Sequence, residues 1–143
     1  MMTDNTADTA PTDTQVKILD AAECLFVEHG YAATSLRAIA SAAGVNLAAT
    51  NYHFGSKKGL FASVCHRCVQ PINKERLFLL RQLTESERPL TARSVLESFF
   101  SPLVKAVYKS HRVPALIGRI YAEPESLTKP ILEQEFGEIA TRY

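Results

Sequence analysis

Residues 44–60 read GVNLAATNYHFGSKKGL, a run of small, amide, hydroxyl and basic side chains without a carboxylate. If a helix begins near Asn46 and turns Val45, Ala49, Thr50, His53 and Phe54 inward, Leu47 and Asn51 form one outward row and Ala48 with Tyr52 the next. Side chains this short let a helix backbone sit deep in the major groove of DNA. There an asparagine can pair with adenine N6 and N7, and apolar groups can touch thymine methyls. The helix N-terminus, the Tyr52 hydroxyl, His53 and Lys57 stand where they could hold phosphates. The two rings also have plainer readings, as does the second lysine. Tyr52 could fill core if its hydroxyl finds a partner, His53 could pack between helices, and Lys58 reads as a solvated charge.

A second group capable of chemistry is Cys65-His66-Arg67-Cys68, with C-x-x-C spacing. A structural zinc site needs four ligands and no second pair follows, while a thioredoxin-like motif needs a surrounding βαβ pattern. The two thiols therefore read as helix residues in preference to a metal or redox site. With Cys24 they make an odd, sparse count that gives no disulfide framework. No set of nucleophile, base and orienting group accompanies them, and no Gly-rich phosphate loop. No catalytic residue, metal or cofactor is expected.

The 143 residues, 46% apolar and 22% charged, suffice for one domain or for a small domain joined to part of another. No apolar run approaches the ~18 residues of a membrane span, and no signal-peptide pattern opens the chain, so a cytoplasmic protein without a membrane partner is expected. The formal charge of +1 hides an asymmetry. Residues 1–30 sum to −5 and residues 71–143 to +2, whereas residues 31–70 carry Arg37, Lys57, Lys58 and Arg67 with no acid, for +4. The middle segment is where a polyanion would dock. For Arg37 that acid-free surround puts a base contact level with the plainer reading of a solvated surface charge.

Helices must position these residues. Residues 1–13, rich in Thr, Asp and Ala without apolar period, read as a disordered leader. A first helix over 15–29 puts Ile18, Ala22, Leu25 and Phe26 on one face, capped by a Thr12/Gln15 box or by Thr14, and ends at Gly30 with Tyr31 folding back onto Phe26. Thr34 or Ser35 caps a second helix bearing Leu36, Ile39, Ala40 and Ala43. Gly44 stops it, and Asn46 caps a third helix through about Phe54. The pair reads as a helix-turn-helix, a plain helical hairpin being the alternative. Ser56 caps a long segment over 57–83, with a kink expected near Pro71. Further helices are expected over 91–110, 114–122 and from 128 onward. The fold class is all-α. The last apolar pattern, Ile131 to Tyr143, is still in mid-period at the final residue, so the chain reads as part of a larger helical domain.

The run ILDAAECLFVEHGYAATSLRAIASAAGVNLAATNYHFGSKKGL resembles, in order and spacing, the DNA-binding domain of the TetR (tetracycline repressor) family over residues 14–60, with 61–143 resembling part of its helical ligand-binding domain. The resemblance implies base contacts by Arg37, Leu47, Ala48 and Asn51, and phosphate contacts by Thr34, Ser35, Asn46, Tyr52, His53 and Lys57. It also implies a homodimer on a palindromic operator, with half-sites ~34–36 Å apart, and release by a small-molecule effector. The VNLAA-x-NYHFGSK wording is similar to a branch that includes regulators of fatty-acid metabolism, which points to an acyl or other apolar effector. Two positions depart from the family pattern. Thr50 stands where an apolar residue is common, with its hydroxyl expected to bond the Asn46 carbonyl. Asn51 stands where tyrosine is frequent. Repacking of Val69, Ile72, Leu77 or Leu80 would carry the effector's signal along the long helix. A ligand-independent architectural DNA binder is the competing function.

Overall fold

The computed structural model describes residues 11–143. Seven helices follow one another: α1 (Asp13–His29), α2 (Leu36–Ala43), α3 (Leu47–Phe54), α4 (Lys57–Glu85), α5 (Ala92–Lys109), α6 (Arg112–Ala122) and α7 (Glu125–Arg142). No strand occurs among the described residues, and the fold is all-α, with three N-terminal helix-turn-helix elements leading into a helical bundle.

Local chemistry sets most of the boundaries. Thr12 and Gln15 form the reciprocal capping box, so α1 starts at Asp13, and the last two residues assigned to the leader become its cap and first residue. The leader's residues 1–10 lie outside the described residues. Ser35 and not Thr34 caps α2. At Gly44, φ is 69°, and the Val45 and Gly44 amides bond back to the Ala40 and Ser41 carbonyls. That double closure is a Schellman turn, and its left-handed residue favours glycine. α4 runs unbroken through Pro71, which sits on its exposed side, where the carbonyl that proline leaves unbonded can take water. α7 starts at Glu125, earlier than residue 128, because Pro124 with its extended backbone supplies the break.

One buried cluster ties the elements together: Ile18, Ala22 and Phe26 of α1, Leu60, Phe61 and Val64 of α4, and Leu116 and Ile120 of α6. Phe26 and Phe61 meet edge to face at 5.1 Å, and Tyr31 joins both rings, at 5.9 Å from Phe26 and 5.3 Å from Phe61. Full burial of each phenylalanine contributes about 1.5–3 kcal/mol. The α2–α3 pair is thereby carried on a platform that includes the long helix and α6.

Candidate nucleic-acid interface

The α2 to α4 segment is built as a series of capped turns. Ser35 Oγ accepts the Ala38 amide at 3.1 Å, Asn46 Oδ1 the Ala49 amide at 2.7 Å, and Ser56 Oγ the Gly59 amide at 3.0 Å. Gly59 has a further reason to be glycine. A Cβ there would stand 2.5 Å from the Phe54 carbonyl oxygen, so the G-S-K-K-G close is the packing of α3 against the start of α4.

On α3, Thr50 is buried, Ala49, His53 and Phe54 are half-buried like Val45 in the turn before it, and Ala48, Asn51 and Tyr52 are exposed. Tyr52 keeps 85% of its surface in solvent, against the core-filling reading, and its ring stands edge-on to His53 at 5.1 Å. Leu47 is half-buried; Arg37, Ser35 and Asn46 are exposed. Ser35 and Asn46 spend their oxygens on helix amides, which leaves their O–H and N–H groups to donate to an acceptor.

Four expectations change. Thr34 is 3% exposed, and its hydroxyl donates to the Gly30 carbonyl at 2.7 Å and lies 3.2 Å from that of Leu25, so it closes the α1–α2 turn and cannot reach a phosphate. Lys57 donates to the Tyr31 carbonyl at 3.0 Å, with Nζ 4.3 Å from the Tyr31 ring centroid. Its ammonium is therefore committed to the fold as well as available, through its other protons, to an anion. Thr50 Oγ1 is buried and has no partner among the described residues, so the bond to the Asn46 carbonyl is not made. Arg67 adds no free cation to the acid-free segment: it pairs with Asp20 at 2.7 Å and with Glu23, both on α1, and its charge is answered there.

Sequence reasoning missed the link from α6 to this unit. Arg119 Nε and Nη2 donate to the Val27 and Glu28 carbonyls at 2.9 and 3.2 Å, capping the C-terminal end of α1 with a cation. Four residues on, Glu123 Oε1 accepts the Tyr31 amide at 2.9 Å. Burial, then Glu123, raises the Tyr31 phenol above its ordinary range. Opposite charges four residues apart at the end of a helix look like surface decoration, and nothing local announces partners 92 residues away.

A cavity of about 420 Å³ lies among α4, α5, α6 and α7, walled by side chains such as Val69, Ile72, Phe99, Ile117, Ile131 and Phe136. Of the four α4 residues expected to repack around an effector, Val69 and Ile72 line it, whereas Leu77 and Leu80 face a separate groove with Glu138 and Arg142. The larger helical spacing from 72 to 77 turns them to another side. Cys65 also lines the cavity. Burial pushes its thiol up to about 12 and that of Cys68 up to about 11, so neither is a ready thiolate nucleophile.

The profile of the bacterial regulatory proteins of the tetR family matches residues 18–64. The match covers the α1 to α4 segment that holds the helix-turn-helix, about a third of the chain. Over 54 residues it is 37% identical to the HTH-type transcriptional repressor AcnR of Corynebacterium glutamicum, a match covering 38% of this chain and 29% of that protein. In fold it is similar to SmeT in complex with triclosan, at a TM-score of 0.72 and 23% identity over 92% of this chain and 62% of that one. It is likewise similar to the fatty acid degradation regulator FadR from Bacillus halodurans, at a TM-score of 0.68 and 18% identity over 94% of this chain and 68% of that one. The chain thus spans less than two thirds of the AcnR and SmeT lengths. No group of three or more His, Cys, Asp or Glu among the described residues could hold a metal. No helix among them is long and apolar enough to cross a membrane.

Proposed function

We propose that this chain is a TetR-family, cytoplasmic one-component transcriptional repressor whose α2–α3 unit reads a palindromic operator as a homodimer and whose helices from α4 onward bind a small apolar effector that releases it. The observation that carries the reading is the outward face of α3, where Ala48, Asn51 and Tyr52 stand in solvent within a segment, residues 31–70, that has no carboxylate. Asn51, Ala48, Leu47 and Arg37 are the residues for bases, and Ser35, Asn46, Tyr52, His53 and Lys57 those for phosphates. On this reading residues 14–60 are the DNA-binding domain and 61–143 belong to the effector domain.

The apolar cavity supports an effector and weighs against a ligand-independent architectural binder, for which a solid bundle would suffice. The relatives support the same division of labour: SmeT was solved with triclosan and is described as the repressor of the Stenotrophomonas maltophilia multidrug efflux pump SmeDEF, and AcnR is a transcriptional repressor. Release would run through α4 and through the Arg119 and Glu123 contacts to the end of α1, since these join the cavity walls to the helix-turn-helix.

The test is footprinting on the parent chromosome, then titration of variants on the recovered operator and on scrambled duplex at several salt concentrations. Arg37→Ala and Asn51→Ala are expected to cost ~1–3 kcal/mol on the operator alone. Tyr52→Phe should weaken both duplexes alike. Equal losses on both sequences for Arg37→Ala and Asn51→Ala would remove base reading from these residues. A footprint over one asymmetric half-site would remove the dimer.

A further inference from the structure

Two charged side chains stand among the apolar walls of the cavity, and their situations differ. The Glu135 side chain is 8% exposed, and its Oε1 lies 2.8 Å from Nδ1 of the more exposed His66, so a group that can carry positive charge already faces it. Arg76 is 4% exposed and meets only neutral acceptors: Nε donates to the Phe99 carbonyl at 2.8 Å, Nη1 to Asn73 Oδ1 at 3.0 Å, and the guanidinium lies 4.2 Å from the Phe99 ring centroid. Among the described residues no carboxylate pairs with it, and Nη2 donates to none of them. That nitrogen is nevertheless not sealed away, because the sole buried and unpartnered polar side-chain atom among those residues is Thr50 Oγ1. Arginine does not shed its proton, and a buried charge without an opposite charge is costly. Burial works against this guanidinium, lowering it from its ordinary range.

We propose that the cavity takes an apolar molecule bearing a carboxylate, with Arg76 pairing the head group through Nη2 and its remaining Nη1 proton, and the aliphatic walls of α6 and α7 taking the body. The proposal rests on reading α4 to α7 as the effector-binding region. The planar guanidinium fork matches a carboxylate with two parallel bonds, which a neutral head group cannot offer. Ile117, Ile120, Ile131 and Leu132 supply the apolar wall. A cationic head would have to compete with His66 for Glu135 and would share the cavity with an unanswered arginine.

The chain is titrated by calorimetry with decanoate, decanol and decyltrimethylammonium, and its operator binding is measured on the same samples. Decanoate should bind about tenfold or more tighter than decanol, as a charge-assisted hydrogen-bonded pair does over a neutral one. Arg76→Met should erase that difference and still bind decanol, which also reports that the cavity is folded; Arg76→Lys should keep part of it. Equal affinity of the unaltered chain for decanoate and decanol overturns the proposal without recourse to any variant. So does tightest binding of decyltrimethylammonium, which would make Glu135 the head-group partner, or an unchanged preference in Arg76→Met. Binding of none of the three overturns the ligand class, and intact operator binding in those samples would leave the DNA-reading function standing.

Discussion

In α1 to α3 and at the start of α4, every helix is closed by the side chain just before it: Thr12, Ser35, Asn46 and Ser56 each accept an amide of the first turn. In α6 and α7 the preceding residues, His111 and Pro124, give no such bond, and α5, though capped by Thr91, leaves Leu96, Phe100 and Val104 at 56%, 51% and 49% exposure. The N-terminal unit meets its backbone needs locally and packs small residues against glycine turns. The later helices depend on one another, enclose a cavity and keep apolar surface in reserve. On the proposed function, a surface that meets DNA in a fixed shape benefits from the first arrangement, and a region that repacks around a guest benefits from the second.

The comparison breaks most visibly where the two regions share core. Phe26 of α1 belongs to the same buried cluster as Phe61 of α4 and Leu116 of α6. Phe26→Ala should cost ~3–5 kcal/mol in urea unfolding and lower the midpoint for probes in both regions. Separate transitions, with only the N-terminal probe affected, would mean that the regions fold independently.

Glycines sharpen it next. Gly59→Ala drives a Cβ into the Phe54 carbonyl, for a loss of ~1–3 kcal/mol. Gly118→Ala on α6, where a Cβ meets nothing within 4 Å, should instead gain up to ~1 kcal/mol. Thermal melts of both variants decide it, and a neutral Gly59→Ala would deny the tight α3–α4 junction.

Arg119→Ala removes the cation from the end of α1 and should cost ~1–2 kcal/mol. Operator affinity without effector should persist while effector-induced release weakens; undiminished release would exclude this contact as a coupler. The smallest change is Thr50→Val, which removes the unpartnered buried hydroxyl at nearly constant shape and should raise stability by about 1 kcal/mol. A loss of similar size would show that the hydroxyl has a partner in solution.

The sequence was legible where its signals are local. The Thr12/Gln15 box, the Gly44 stop and the Asn46 cap could be read because each involves residues within one turn. The sidedness of α3 followed from helical period, and residues 18–60 carried the family resemblance. The same reasoning misjudged Thr34, which has the chemistry of a phosphate ligand and the position of a turn lock, and it counted Arg67 with the basic segment although Asp20 and Glu23 hold it.

By itself, then, the order of residues determined the helices, their caps and the acid-free outward face of α3, because hydrogen bonds within a turn and a 3.6-residue period are short-range properties. Tertiary structure alone decided that Arg119 and Glu123 reach α1, that Arg76 and Glu135 share a cavity, and that Lys57 is tied to Tyr31. Those groups are separated by 26 to 92 residues where a bond joins them, and no local pattern encodes which distant carbonyl or ring will face a charge once the helices pack.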